Sequence, residues 1–154
     1  MQTIISDDNI KPFMAKLFQS NEFSAFEVRK TEIKTITKFV IDGQLDTTED
    51  DDEPLKFCTW AQLQPYALNI IKGSVKPKSI RIIFALGLAE MESNFAEHIN
   101  DVALFLNIVF DGEKITITTG YSQKTFTLDK TIGTTWDAYV TNFLNNLGID
   151  VTQA

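Results

Sequence analysis

Cysteine and histidine are nearly absent from this chain. Cys58 and His98 are each the only residue of their type among 154. One cysteine cannot build a disulfide framework or a thiolate metal cluster, and one histidine cannot supply a site that needs two. A Ser-His-Asp or Cys-His catalytic site would depend on His98, and no G-x-S-x-G or cysteine motif accompanies it. We therefore predict no cofactor and interpret His98 as a loop residue near a helix end.

Clustered glycines and long apolar runs are also missing. The seven glycines are isolated at predicted turns and helix ends, so no glycine-rich loop is available to hold phosphate. The longest apolar run, Ile82 to Ala89, is far too short to span a membrane. The N-terminal segment has no basic stretch and reaches Asp7 and Asp8 early, unlike a signal peptide. These features predict a cytoplasmic protein without membrane association.

Basic charge is scarce, and acidic charge is concentrated in one segment. The formal net charge is -7, and six acids without a base lie between Asp46 and Glu53, so the rest of the chain is nearly neutral. A nucleic-acid surface needs clustered Lys and Arg, which this sequence lacks. We therefore expect a protein as the partner, with a second copy of this chain included.

The acidic loop, residues 44–55, has a metal-binding interpretation. Four acids have the spacing of calcium ligands in an EF-hand-like loop: Asp42, Asp46, Asp50 and Glu53. Thr47 stands where such a loop requires glycine, and the flanking patterns indicate strands rather than helices. We interpret the segment as a solvated loop and keep calcium binding as the alternative.

A predicted meander from Val102 to Leu128 organises the fold. Residues 102–110 alternate apolar and other side chains, as in a strand with two unequal faces. Asp111-Gly112 suits a two-residue hairpin turn, and Tyr121-Ser122 is the predicted tip of the next turn. The expected pairs are Phe110–Glu113, Ile108–Ile115, Leu106–Ile117, Ile117–Phe126 and Ile115–Leu128. Both turns place the apolar residues on one face and a threonine ladder on the other.

Three helices are predicted from spacing and capping residues. The first has an apolar stripe of Ile10, Phe13, Met14, Leu17 and Phe18. A second helix follows a capping box of Thr59 and Gln62 and runs to Lys72. The last, in residues 131–148, is capped by Thr131 or Thr134, with Thr134 and Asp137 fitting a capping box.

The remaining segments are assigned to strands and one short helix. Predicted strands cover an edge strand at Gln2–Ser6, two strands at Phe23–Lys30 and Glu32–Asp42, and a long strand from Ser79 to Leu88. Ile36 and Val40 break the alternation of the third strand, which indicates a bulge or two half-buried faces. A short helix is predicted from Glu90 to His98.

These elements predict an α+β fold, with an antiparallel sheet, helices packed on it and an extra C-terminal helix. We expect a single domain, 1–154, in which 1–43 and 78–129 are half-repeats of a strand, a helix and three strands. This topology resembles one domain of a DNA sliding clamp. Glutamates at 90, 92 and 97 in the short helix of the second half-repeat speak against a DNA channel, which should be lined by basic helices.

One face of the predicted sheet has more apolar side chains than a wet surface needs. The candidate interaction surface comprises Ile83, Ala85, Phe105 and Val109, with Trp60 as an anchor. The alternative is that the last helix covers this face and that Trp60 closes the edge of the core.

Several phrases together resemble an uncharacterised bacterial family of unknown function from Gram-positive anaerobes. They are Trp60-x-x-Leu63-x-Pro65, Ile71-Lys72-Gly73 with Pro77, residues 104–108, Thr118-Thr119-Gly120, residues 124–129 and Trp136-Asp137. The resemblance covers nearly the whole chain. It implies a free-standing cytoplasmic protein and assigns no activity, cofactor or catalytic residue.

The expected function is that of a non-enzymatic protein-interaction domain. A sliding-clamp-like replication accessory is the first alternative. An enzyme whose site is built from scattered carboxylates is the second, and no catalytic residue is identified for it.

Overall fold

The structure, a computed structural model, describes residues 1–46, 56–125 and 128–153. Within these ranges lie seven strands and four α-helices. Their bounds are β1 (Gln2–Ile5), α1 (Ile10–Gln19), β2 (Phe26–Lys34), β3 (Lys38–Asp42), α2 (Trp60–Ile71), β4 (Ser79–Leu86), α3 (Leu88–Asn94), β5 (Val102–Phe110), β6 (Ile115–Gln123), α4 (Thr131–Asn146) and β7 (Val151–Gln153). Short 3-10 turns at Asp7–Asn9 and Ala96–His98 flank α1 and α3.

The described strands form one sheet in the order β3-β2-β4-β5-β6-β1-β7, and every neighbouring pair is antiparallel. The predicted α+β class, with an antiparallel sheet and a C-terminal helix, is confirmed. The prediction that the N-terminal strand lies at an edge is wrong, because β7 pairs with its outer side. A strand of three residues is too short for a periodic pattern to reveal it.

The hairpin of β5 and β6 exists, but its loop is longer than predicted. Phe110 pairs with Ile115 and Ile108 with Ile117, so residues 111–114 make the turn. The Asp111 carboxylate accepts hydrogen bonds from the backbone N–H groups of residues 113 and 114, both at 2.8 Å. Gly112 has a φ of 98°, the left-handed conformation that glycine adopts readily. The register differs from the predicted one by two residues, which leaves every side chain on its predicted face.

The third strand of the predicted meander is wrong. Tyr121 and Ser122 lie inside β6 rather than in a turn, and Leu128 is 85% exposed. The predicted partner Phe126 lies outside the described residues. β1 takes the place beside β6, with Thr3 opposite Ile117. Local alternation could not reveal this competitor, because β1 and β6 are more than a hundred residues apart.

The first hairpin also has shifted bounds. β2 and β3 are joined by a turn in which the Thr35 N–H donates to the Thr37 carbonyl at 2.9 Å. Ile36, predicted within a strand, occupies this turn and is 77% exposed. The expected bulge lies elsewhere, where the register of β2 on β4 shifts between Val28 and Lys30. The bulge separates two parts of this edge of β2. β3 pairs with residues 30–34, and the segment that contains Thr59 pairs with Glu27.

Strand alternation sorts the side chains of the sheet into an inner and an outer face. Inner-face apolar side chains no more than 2% exposed include Phe26, Val28, Ile33, Ile82, Phe84, Leu104, Leu106, Ile108, Ile115 and Ile117. The predicted burial of Ile115 and Ile117 is therefore confirmed. Each fully buried side chain of this size contributes about 1.5–3 kcal/mol through removal from water.

Helices α1, α2 and α4 pack on the inner face through aromatic contacts. The ring of Phe143 in α4 lies 5.4 Å from that of Phe26, and Trp60 in α2 lies 5.3 Å from Phe84. In α1, the ring of Phe13 lies 5.7 Å from that of Phe23. The predicted apolar stripe of α1 is confirmed, with Phe13, Leu17 and Phe18 buried. Three helices thus share one hydrophobic core beneath one face of the sheet.

The start of α2 follows its sequence signal, and the start of α4 does not. The capping box is confirmed, because the Thr59 N–H donates to Gln62 Oε1 at 2.9 Å and the Gln62 N–H donates to Thr59 Oγ1 at 3.3 Å. In α4 the predicted caps are wrong, because the helix begins at Thr131 and the Asp129 carboxylate accepts from the Thr131 N–H at 2.9 Å. Asp137 instead accepts a hydrogen bond from the Thr119 hydroxyl of β6. α4 is thereby tied to the sheet.

Contacts also join the short helix α3 to α4. The Tyr139 hydroxyl donates to Glu90 Oε2 at 3.0 Å. Partial burial, with this bond and the carboxylate charge, raises the pKa of Tyr139 to about 12. The phenol therefore stays protonated at neutral pH and keeps its hydrogen bond.

The two predicted half-repeats share an element order of strand, helix, strand and strand. Their places in the sheet differ. The first strand of the second half-repeat, β4, pairs with β5 of the same half, whereas the first strand of the first half-repeat, β1, pairs with β6 of the other half. The duplication stays a prediction. Among the described helices, none combines the length and the apolar character needed to cross a membrane.

Gly43 sits where three backbone segments meet. Its N–H donates to the Arg29 carbonyl at 3.3 Å, and its own carbonyl accepts from the Cys58 N–H at 2.8 Å. The Val28 N–H in turn donates to the Cys58 carbonyl at 2.8 Å. A Cβ atom at Gly43 would lie 1.7 Å from the Val28 carbonyl oxygen. Only glycine fits this junction.

We expect Gly43→Ala to lower the free energy of unfolding by about 3 kcal/mol, because the methyl group must push the backbone of β2 away. The matched control is Gly120→Ala, where an added Cβ meets nothing within 4 Å. It should be neutral or stabilise the fold by up to about 1 kcal/mol. Urea unfolding followed by circular dichroism measures both, and equal effects would contradict the described junction.

Candidate interaction surface

The structure brings four of the five predicted surface residues together. Ile83, Ala85, Phe105 and Val109 lie on the outer face of β4 and β5, with Ala85 directly opposite Phe105. Ala85 is 2% exposed, and the other three are half-buried. Strand alternation alone located this group correctly, because the pairing of β4 with β5 preserves the predicted faces.

Trp60 is not part of that surface. Its side chain is fully buried on the inner side, where the indole N–H donates to the Leu17 carbonyl at 2.6 Å. Its ring also packs against Phe18 at 5.7 Å between centroids. The proposed role of Trp60 as a surface anchor is therefore replaced by a role in the core. Its position directly after the helix cap, on the inner stripe of α2, explains the burial.

The C-terminal helix does not cover the outer face. α4 meets the opposite side of the sheet, where Asp137 bonds Thr119 and Gly133 approaches the ring of Tyr121. On the outer side, the space beside Gly120 is open, since an added Cβ would meet no heavy atom within 4 Å. Gly120 lies opposite Phe105 in the β5–β6 pair.

Charge is distributed unevenly across the outer face. Neither β5 nor β6 contains a charged residue, and their outer positions hold Ala103, Phe105, Asn107, Val109, Thr116, Thr118, Gly120 and Ser122. We call these eight residues, with Ile83 and Ala85, the neutral stripe. Its border is charged. Arg81 of β4 is exposed opposite Val109, and Glu32 of β2 contacts Lys30 at 3.0 Å and Lys38 of β3 at 3.5 Å. An uncharged centre with a charged border is thus built into the strand order.

Arg29 lies at one border of the neutral stripe, beside Phe105. Its guanidinium carbon lies 3.9 Å from the centroid of the Phe57 ring and 5.6 Å from that of Phe105. Its Nη2 lies 4.0 Å from the Glu27 carboxylate. Burial raises the pKa of Glu27 and lowers the pKa of Arg29, and in each case the opposite charge of the partner reduces the shift. The cation is held mainly by two aromatic faces.

The cluster of Arg29, Phe57 and Phe105 was not predicted from the sequence. The bulge in β2 turns Arg29 to the outer face, and isolated bridges bring the segment after the acidic loop alongside, with Thr59 opposite Glu27. Phe57 reaches Arg29 by that route. Neither a bulge nor an isolated bridge leaves a periodic signal, so the only available clue was an aromatic residue beside the predicted capping box.

A cleft of about 550 Å³ opens at the end of the outer face beyond Arg29. Its walls include Glu27, Arg29, Leu88, Asp101 and Lys124. The acids and bases in it are mixed rather than of one sign. The cleft is large enough to accept one or two side chains of a docked partner, and the pairing of Glu27 with Arg29 explains the shifts of both pKa values without a catalytic role.

Only two of the four residues proposed as calcium ligands are among the described residues. Asp42 and Asp46 are described, whereas Asp50 and Glu53 lie outside the described residues. Asp42 Oδ1 accepts the Gln44 N–H at 2.9 Å, as in an ordinary turn. In the described ranges no group of three His, Cys, Asp or Glu residues is placed to hold a metal ion.

The contact between Arg29 and Phe57 predicts an energetic coupling. We expect Arg29→Met and Phe57→Leu to lower the free energy of unfolding by less together than the sum of their separate effects, with a coupling of about 0.5–1 kcal/mol. A double-mutant cycle of urea unfolding at neutral pH measures it. Strict additivity would show that the stacking contributes nothing.

Comparisons with known proteins agree with the resemblance noted in the sequence. No curated protein and no solved structure matches the chain. The profile of a family of unknown function, DUF5721, matches residues 16–152. This protein therefore belongs to the DUF5721 family of unknown function.

Proposed function

We propose that this protein is a non-enzymatic binding domain whose neutral stripe docks onto another protein. The single observation that carries the proposal is the uncharged outer surface of β5 and β6, left open by helices that pack on the inner face. We also place this activity in the cytoplasm, which is supported by a chain with one cysteine and no membrane-spanning helix in its described part.

The composition of the neutral stripe supports a protein partner. Interfaces between proteins are depleted of charge at their centre, enriched in aromatic residues and bordered by polar groups. Phe105 supplies the central aromatic ring, and the threonines of β6 supply hydrogen-bonding groups. The cleft beyond Arg29 could receive an anchoring side chain, which is how binding energy concentrates at interfaces.

The charge of the surface disfavours nucleic acid. Two of the bases on the bordering strands, Lys30 and Lys38, already contact Glu32, and Arg29 lies 4.0 Å from the Glu27 carboxylate. The sliding-clamp-like alternative requires basic helices, whereas α3 carries Glu90 and Glu92. The alternative of a carboxylate-based enzyme has no support from the outer cleft, where Glu27 is engaged with Arg29.

The proposal is tested by crosslinking from the neutral stripe. A photoreactive phenylalanine analogue replaces Thr116 or Thr118 on the outer face, and in the controls it replaces the exposed Thr134 or Asn142 of α4. Irradiation in cells that produce the protein should give the same discrete adduct from both outer positions and not from α4. Mass spectrometry identifies the captured protein. Adducts of equal yield from both surfaces, or none from the stripe, would contradict the proposal.

Binding to the identified partner is then measured with purified proteins. Gly120→Arg extends a bulky cation from an open position and should weaken binding at least about tenfold, because it places an unpaired charge in an apolar contact. The matched control Thr134→Arg adds the same side chain to α4 and should change the dissociation constant less than about twofold. Equal affinities for both variants would exclude the stripe as the interface.

A further inference from the structure

The free edge of β3 has an unusual concentration of exposed apolar side chains. Among the described residues, eight large hydrophobic side chains are exposed, and four of them lie in ten consecutive positions at this edge. They are Ile36 at 77%, Phe39 at 36%, Val40 at 55% and Leu45 at 38%. Edge strands normally avoid this composition, because an apolar edge is a template for pairing with another chain.

The direction of the β3 backbone groups follows from the neighbouring hydrogen bonds. The Lys34 carbonyl accepts from the Lys78 N–H at 2.7 Å, on the side away from β3. Because backbone direction alternates along a strand, the N–H and C=O groups of Phe39 and Ile41 point toward β2, opposite Ile33 and Thr31. The N–H and C=O groups of the three alternate residues, Lys38, Val40 and Asp42, point away from the sheet. In the described part of the chain no strand pairs with that side.

The sequence of β3 is complementary to itself when it is read in the opposite direction. An antiparallel pair of two copies centred on Val40 places Lys38 of each copy opposite Asp42 of the other. It also places Phe39 opposite Ile41 on the inner face. A twofold axis perpendicular to the sheet relates the two copies, so each strand supplies both halves of every contact. A parallel arrangement in register would place Lys38 beside Lys38 and Asp42 beside Asp42, with a like-charge cost.

The charged groups are available for these contacts. The Lys38 side chain is 57% exposed, and Glu32, which its ammonium contacts at 3.5 Å, also contacts Lys30, which lies closer at 3.0 Å. Asp42 is exposed, and its Oδ1 accepts the Gln44 N–H at 2.9 Å. Opposite charges across an antiparallel pair contribute about 0.2–1 kcal/mol each.

We propose that two copies of this protein associate through antiparallel pairing of their β3 strands, which joins their sheets into one continuous sheet. The outward N–H and C=O groups of Lys38, Val40 and Asp42 in one copy then form hydrogen bonds with those of the other copy. The exposed Val40 side chains of the two copies meet at the axis. The surface is distinct from the neutral stripe, so this inference does not depend on the proposed function. The contact is confined to one edge, and we expect a dissociation constant of about 10–100 µM.

Sedimentation equilibrium of the full chain over about 5–500 µM tests the proposal. Val40→Lys places two ammonium groups at the axis and should weaken dimerisation more than about tenfold, since an edge lysine opposes strand addition. The fold should be unaffected, because Val40 is 55% exposed. The matched control Leu128→Lys changes a side chain outside β3 that is 85% exposed and should leave the dimer unchanged.

Exchanging the charges of Lys38 and Asp42 distinguishes specific strand pairing from nonspecific association. Lys38→Asp alone and Asp42→Lys alone each place like charges across the axis and should weaken the dimer about tenfold. The double variant restores opposite charges and should return the dissociation constant to within about threefold of the wild-type value. A monomer at every concentration, a dimer that tolerates Val40→Lys, or a double variant no better than the single ones would overturn the proposal.

Discussion

The structure depends on the antiparallel register of its central strands. With Ile82 opposite Ile108 and Ile108 opposite Ile117, β4, β5 and β6 direct their aliphatic side chains to a single face. A slip of one residue in β6 would turn Thr116 and Thr118 toward the helices in place of Ile115 and Ile117. The aromatic core formed by Phe84, Trp60 and Phe143 follows from this register, because each of these rings meets the inner face.

Much of the architecture could be predicted because the signals were local. Alternation in β4 and β5, the stripe of α1 and the box of Thr59 and Gln62 each lie within a few residues and act independently of the rest. The position of β1 could not be predicted, because it is set by competition for the edge of β6 from a distant segment. The β5–β6 loop was misjudged by two residues because the Asp111 carboxylate stabilises a longer turn.

The candidate surface was predictable to the same extent. Ile83, Phe105 and Val109 share an alternation with the core and were found by counting residues. Trp60 was assigned alternatively to the surface and to the core, because a large aromatic residue near a helix cap suits either, and the structure places it in the core. Arg29 and Phe57 meet only because a bulge and an isolated bridge bring them together, and such irregularities leave no pattern in one sequence.

Two exposed features of the sheet therefore have different origins. The neutral stripe lies on the outer face of the strands whose inner face forms the core. Successive side chains of a strand point to opposite faces, so these strands have to present half of their side chains outward. The edge of β3 is exposed because strand order ends there, and its apolar side chains belong to no part of the core. The family membership names neither surface, so both assignments rest on packing and charge.

The central claim is that the helices leave the outer face of β6 open while covering its inner face. Thiol labelling of single-cysteine variants in a Cys58→Ala background measures it directly in the isolated protein. Thr118→Cys should react at a rate close to that of a free thiol, and Ile117→Cys should react at least about a hundredfold more slowly, through opening of the fold alone. Comparable protection of the two positions, or faster labelling at residue 117, would contradict the account.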